Sequence, residues 1–195
     1  MARLIDKLLN RVYEGISKLK KYLKFNNYKI RYEGTIQIDN SFNFGKYFNL
    51  NISDKNCLLT IKKNVRMRNY CSILLSEGSQ LTISEGVFIN NYCSINCLGE
   101  ITIGADTLLG EGIRIYDHNH KYKDKDILIQ YQGYSIGKVI IGKNCWIGSN
   151  TIILNNVEIG DNVIIGANNL IYKSIPANQI IKANQTFSQI SITGE

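Results

Sequence analysis

The chain has 195 residues, 44% hydrophobic and 20% charged, which suits one domain with an appendage and excludes predominant disorder. Against 16 Asp+Glu stand 23 Lys+Arg, a formal net charge of +7, so nucleic acid, anionic membranes and phosphate-bearing ligands all enter as partners to be weighed. No apolar run approaches the ~20 residues that span a bilayer. The five cysteines, Cys57, Cys71, Cys93, Cys97 and Cys145, form an odd set without CxxC pairing, and a disulfide framework is not expected. The charged start lacks the apolar stretch of a secretory signal, so the sequence reads as cytosolic with reduced thiols.

Residues 1–24 place Leu4, Ile5, Leu8, Leu9, Val12, Ile16, Leu19 and Leu23 at three- and four-residue spacings, the stripe of an amphipathic helix. Lys7, Arg11, Lys18, Lys20, Lys21 and Lys24 fill much of the remainder, and this segment carries +5 of the +7. The helix is expected over 1–25, and the rest of the chain, 26–195, is expected to form a second, β-rich unit. Short β-favouring stretches begin near residue 30.

From Ile141 the chain reads IGKNCW, IGSNTI, ILNNVE, IGDNVI, IGANNL, IYKSIP, with Ile opening six consecutive hexads. Cys145, Thr151, Val157 and Val163 stand four places after an opening Ile. The same frame takes in Ile61, Met67 and Ile73, then Ile83, Ile89 and Ile95, then Ile103, Leu109 and Ile115. A period of six is neither helical nor that of a flat sheet. It fits a triangular solenoid in which each hexad is a short strand plus a corner and three hexads make a coil. Cys71, Cys93 and Cys145 fall on the small inward position, where a free thiol behaves as a small hydrophobe. The glycines that follow the opening Ile are expected to supply backbone freedom at the corners.

One segment breaks the rhythm. Residues 116–135 cannot be laid into hexads and hold both histidines, His118 and His120. A long excursion from a rigid scaffold is where chemistry is expected.

These residues resemble the hexapeptide-repeat acyltransferases, in the branch of maltose, galactoside and polysaccharide O-acetyltransferases. The resemblance is carried by IRIYDHNHKYKD, by VIIGKNCWIGSNTIILNNVEIGDNVIIGANNLIYKSIP, and more weakly by a tail, IIKANQTFSQI, which lacks the Gly and Pro of the family's AGxPAK ending. It implies a left-handed parallel β-helix, a homotrimer with active sites between subunits, and acetyl-CoA as acyl donor. Alignment of the excursion puts His120 on the family's catalytic base, with His118 as the rival. The same resemblance brings Trp146 beside the reacting centre, Ser149 and Ala167 against the CoA arm, and Tyr172 and Lys173 near its nucleotide end.

Acetyl transfer to a hydroxyl needs a base titrating near neutrality and a donor for the developing oxyanion. Histidine supplies the first. Asp117 is either the acceptor that orients an imidazole or a turn residue capping backbone N–H groups. Trp146 follows the inward Cys145 and must point outward, where a subunit, a pantetheine arm or a sugar would cover it. Two histidines with a carboxylate raise a metal site, but no metal is expected. The basic helix has three readings: a cap on the open solenoid end, packing between subunits, or contact with an anionic membrane. The function implied is transfer of acetyl from acetyl-CoA to a sugar hydroxyl in surface polysaccharide or glycan biosynthesis. N-acetylation of an amino sugar and a non-catalytic scaffold are the alternatives. No recognition motif supports nucleic-acid binding.

Overall fold

The structure, a computed structural model, describes residues 2–182. A helix, α1 (Ala2–Arg31), leads into a parallel β-solenoid with three sheets, one per side of a triangular prism. Sheet A stacks Ile36–Ile38, Leu58–Ile61, Gln80–Ile83, Glu100–Ile103, Lys138–Ile141 and Val157–Ile159. Sheet B stacks Asn43–Phe44, Arg66–Met67, Phe88–Ile89, Leu108–Leu109, Trp146–Ile147, Ile164–Ile165 and Ile180–Ile181. Sheet C stacks Asn49–Ile52, Ser72–Leu75, Ser94–Cys97, Arg114–Tyr116, Ile152–Ile153 and Leu170–Ile171. The chain visits A, B and C in turn, and each circuit pairs in register with the next, as in Ile61 with Ile83, Ile103 with Ile141 and Ile141 with Ile159.

Burial follows the hexads. Ile61, Met67, Ile73, Ile83, Ile89, Ile95, Ile103, Leu109 and Ile115 are buried, as are the opening isoleucines from Ile141 to Ile171. Each contributes about 1.5–3 kcal/mol of transfer free energy. Thr151, Val157, Val163 and the three inward cysteines line the same interior, and Cys57 and Cys97, which lie outside the hexad position, are buried too.

The glycines work differently from the expectation. Gly142, Gly148 and Gly160 do not have positive φ; a Cβ at any of them would come within 2.4–2.6 Å of backbone in the next coil. They are needed for close stacking of coils. Left-handed backbone falls instead on the fourth hexad residue, at Asn144, Asn150, Asn156, Asn162 and Asn168, with φ between 53° and 59°. Asparagine visits this region more readily than most residues with a Cβ. At the B–C corner of the first three coils, Tyr47, Tyr70 and Tyr92 occupy the same conformation, and their rings stack at 4.7 and 4.9 Å.

Helix α1 runs six residues past the expected end at 25. Asn26 and Asn27 are poor helix formers, but Phe25, Tyr28 and Tyr32 recur at helical spacing and pack on the first coil. Phe25 meets Phe44 at 6.3 Å and Tyr28 meets Phe48 edge-on at 6.0 Å. The Tyr32 hydroxyl donates to the Leu50 carbonyl at 3.4 Å, and the Leu50 N–H donates to the Tyr28 hydroxyl at 3.3 Å. Aromatic residues thus cover the core of the first coil and satisfy its strand edge. The apolar stripe nearer the N-terminus takes no part in this. Leu9, Val12, Ile16, Leu19 and Leu23 are exposed. No helix among the described residues is long and apolar enough to cross a membrane.

Candidate active site

The site is built where the fourth coil leaves the solenoid. After Tyr116, sheet C should turn a corner into sheet A; instead His118–His120 pairs antiparallel with Tyr134–Ile136, and the chain rejoins sheet A at Lys138. This two-stranded ribbon and its loop are the excursion read from the sequence.

Asp117 stands at the root of the ribbon and is wholly buried. Its Oδ1 accepts the Leu98 N–H at 2.9 Å, its Oδ2 accepts the Gly99 N–H at 2.8 Å, and Oδ1 also lies 3.0 Å from His118 Nδ1. Asp117 therefore accepts from two backbone donors and at the same time lies within hydrogen-bond distance of the His118 ring. Paired with a carboxylate acceptor, the neutral His118 imidazole is the tautomer with its proton on Nδ1 and the lone pair on Nε2. Tyr116 and Tyr134 meet the His118 ring edge-on at 6.1 and 5.3 Å, and the side chain is only 15% exposed. Polar pairing on one side and two aromatic edges on the others give this ring one orientation.

His120 differs. It is exposed, touches Tyr134 at 4.7 Å with a tilted ring, and lines a cavity of about 660 Å³ within the excursion together with Tyr122, Tyr131 and Gln132. The buried carboxylate is beside His118, whereas the sequence alignment favours His120.

The partners of Asp117 escaped the sequence reading. Leu98 and Gly99 lie in the preceding coil, in a two-residue extension of the frame after Cys97, and Gly99 must be glycine: a Cβ there would stand 2.4 Å from the Gly137 carbonyl oxygen and 2.6 Å from Ile136 Cγ2. Cys97 is also close. Burial, and then the Asp117 charge, push its thiol well above the usual cysteine range.

The remaining site residues are distributed over the prism. Tyr172 and Lys173 lie on the same C–A corner as His118, two coils on, with the Lys173 ammonium 5.7 Å from the centre of the Tyr172 ring. Ser149 and Ala167 lie on the B–C corner, in successive coils that approach closely at Gly148. Ser149 Oγ accepts the Glu111 N–H at 3.2 Å. Trp146 is 56% exposed on the outer face of sheet B, in a column with Leu108 and Ile164. One chain therefore does not bring the histidines, Trp146 and Ser149 to one place; a side of the prism, roughly 15–17 Å of extended chain, separates the C–A corner from the others. Residues of the tail beyond Lys182, matched to the AGxPAK ending, lie outside the described residues.

A parallel solenoid of hexads with a histidine-bearing excursion is the architecture of a hexapeptide-repeat transferase, and comparison with known proteins agrees. Residues 138–173 match the family described as "Bacterial transferase hexapeptide (six repeats)". WbbJ of Escherichia coli, assigned to O-acetyl transfer in lipopolysaccharide biosynthesis, is 30% identical over 164 residues, 78% of this chain and 72% of that one. WcaF of the same organism, assigned to acetyl transfer in colanic acid biosynthesis, is 27% identical over 87 residues, 45% of each chain. Among solved structures, the N-acyltransferase AntD from Bacillus cereus, in complex with dTDP and 3-hydroxybutyryl-CoA, superposes with a TM-score of 0.57 at 23% identity, covering 73% of this chain and 79% of that one. The polysialic acid O-acetyltransferase OatWY gives 0.50 at 22%, covering 81% and 90%; likenesses at this level speak for the fold. The chain belongs to the hexapeptide-repeat acyltransferases, enzymes built on a left-handed parallel β-helix.

Proposed function

We propose that this enzyme transfers an acetyl group from acetyl-CoA to a sugar hydroxyl in the biosynthesis of a bacterial surface polysaccharide, with His118 as the general base. The observation that carries the reading is the buried Asp117–His118 pair at the root of the excursion. Similarity to WbbJ supports the acceptor class, and the acyl-CoA in the AntD complex supports the donor.

With Nδ1–H donated to Asp117, His118 Nε2 removes the proton of the acceptor hydroxyl as its oxygen attacks the thioester carbonyl. The imidazolium so formed is stabilised by the adjacent carboxylate. Collapse of the tetrahedral intermediate breaks the C–S bond, and the CoA thiolate takes the proton back from His118. Neither an acyl-enzyme nor a resident metal is invoked; holding both substrates in one groove supplies much of the acceleration.

That groove requires a second copy. The C–A corner of one subunit, with Asp117, His118, His120, Tyr172 and Lys173, would face sheet B and the B–C corner of a neighbour, with Trp146, Ser149 and Ala167, in a homotrimer. The exposed apolar column Leu108, Trp146, Ile164 and Ile180 on sheet B supports such a contact, because a row of this kind is costly to leave in water. We place the enzyme in the cytoplasm, with residues 1–24 in peripheral contact with the membrane. Thiol release from acetyl-CoA in the presence of a saccharide acceptor tests the reaction. Product stable to mild alkali would indicate an amide and overturn O-acetylation; full turnover by His118→Gln would overturn the base.

A further inference from the structure

Between α1 and the first coils of sheet B runs a cleft of about 750 Å³. Six cations line it, Lys20, Lys21, Lys24, Lys46, Arg66 and Arg68, and no carboxylate does. Within the described residues none of the six makes a salt bridge. Their partners are neutral: Lys21 Nζ donates to Asn43 Oδ1, Lys24 Nζ to the Phe48 carbonyl, and Arg68 Nη1 to Asn90 Oδ1 at 3.4 Å. Such a concentration of like charge is costly to hold together unless an anion answers it.

The cleft is also apolar. Tyr13 and Ile16 contribute from the helix and Phe88 from sheet B, and cations lie over several rings, with the Arg66 guanidinium 5.4 Å from Phe88 and the Lys46 ammonium 5.9 Å from Tyr13. From Ile16 the apolar surface continues onto Leu9, Val12, Leu19 and Leu23, which share its stripe on α1 and are exposed. An anion with an apolar continuation fits this combination better than a soluble anion, which would use the charges and leave the stripe bare.

Position adds the third element. Arg66, Phe88, Leu108 and Trp146 are successive members of one outward column on sheet B. Three strand spacings, about 14 Å, separate Arg66 in the cationic cleft from Trp146 on one continuous face. Lys173, matched to the nucleotide end of the donor, lies at the opposite end of the solenoid.

We propose that this cleft seats the phosphate headgroup of a lipid that carries the acceptor glycan, so that the lipid chain follows the stripe on α1 while the sugar extends along sheet B toward Trp146. The assignment rests on the saccharide O-acetyltransferase reading and goes beyond it in naming the acceptor as lipid-linked, with solenoid residues as its anchor site.

Sedimentation of the full chain with phosphatidylcholine vesicles carrying a polyprenyl diphosphate tests this, beside vesicles of phosphatidylcholine alone and vesicles brought to the same charge with phosphatidylglycerol. Binding is expected to be strongest to the lipid diphosphate and to fall about tenfold or more in the triple variant Lys46→Ser, Arg66→Ser, Arg68→Ser, with an unchanged unfolding midpoint. If that variant does not fold, Lys20→Gln with Lys46→Gln, both exposed, should lose binding severalfold. Wild-type binding by these variants would overturn the site. Equal binding to phosphatidylglycerol, or displacement of the protein from vesicles by a soluble nucleoside diphosphate, would overturn the lipid-carrier assignment. His118→Gln is expected to bind vesicles as the wild type does while losing turnover, so failure of the anchor site and failure of the catalytic reading give different results.

Discussion

Two corners of the same prism solve one problem in different ways. At the B–C corner every coil turns without interruption, and backbone donors find carbonyls one coil away: the Gly112 N–H donates to the Asn91 carbonyl at 2.9 Å and the Asn150 N–H to that of Glu111 at 2.7 Å. At the C–A corner the fourth coil departs into the excursion, so the turn at Leu98 and Gly99 has no ordinary coil above it. The Asp117 carboxylate supplies the missing acceptors. Its remaining capacity goes to His118. The insertion that carries His118 thus also requires a buried acceptor, and the Asp117 side chain serves both the backbone donors and the imidazole.

The sharpest way to break this contrast is at His118. His118→Gln should lower the acetyl-transfer rate by about 10²–10⁴-fold with CoA binding retained, whereas His120→Gln should cost less than about tenfold; the reverse order in a thiol-release assay would return the base to His120. Asp117 tests the structural half. Asp117→Ala strands two backbone donors in the interior, at about 1–3 kcal/mol each, and should lower the unfolding midpoint as well as the rate; a variant inactive but fully stable would leave the capping role without support. At Gly99, Ala should push the ribbon away from Gly137 and cost about 1–3 kcal/mol, while Ala at Gly133, a positive-φ glycine in the excursion with nothing close to its Cβ position, should cost only the backbone strain of about 1 kcal/mol.

The smallest effect concerns Cys97. Its raised pKa keeps the thiol protonated in the folded chain at a pH where the unfolded chain has lost that proton. Stability from this group is complete below the ordinary cysteine range near 8.5 and declines above it, by at most ~1.4 kcal/mol per pH unit. Cys97→Ala should flatten the alkaline limb of a stability-against-pH curve; an identical limb would assign that loss to other groups.

Much of the solenoid was legible because an aliphatic every six residues has one physical use, and every opening position proved to be inside. The glycine after it was legible as a requirement but not as a cause, since steric closeness between coils leaves the same residue in the sequence as a need for positive φ. The far end of α1 was hidden by Asn26 and Asn27, which argue for a stop; aromatic packing on the first coil overrides them. Within the site, spacing located the two histidines and favoured His120, but the buried surroundings of Asp117 beside His118 were hidden, because its partners Leu98 and Gly99 come from another coil. The cationic cleft was invisible for a similar reason. Its charges come from the helix and from outward positions of the first two coils, and along the chain they look like an ordinary solvated surface.

The stacked tyrosines and the lone tryptophan mark opposite halves of the molecule. Tyr47, Tyr70 and Tyr92 span the first three coils, and Trp146, the single Trp in the chain, belongs to the fifth. A solenoid holds together through neighbours only, so its ends can melt separately. Near-ultraviolet circular dichroism of the tyrosine stack and fluorescence of Trp146 would then act as two clocks on one chain, timing the helix-capped end against the later coils.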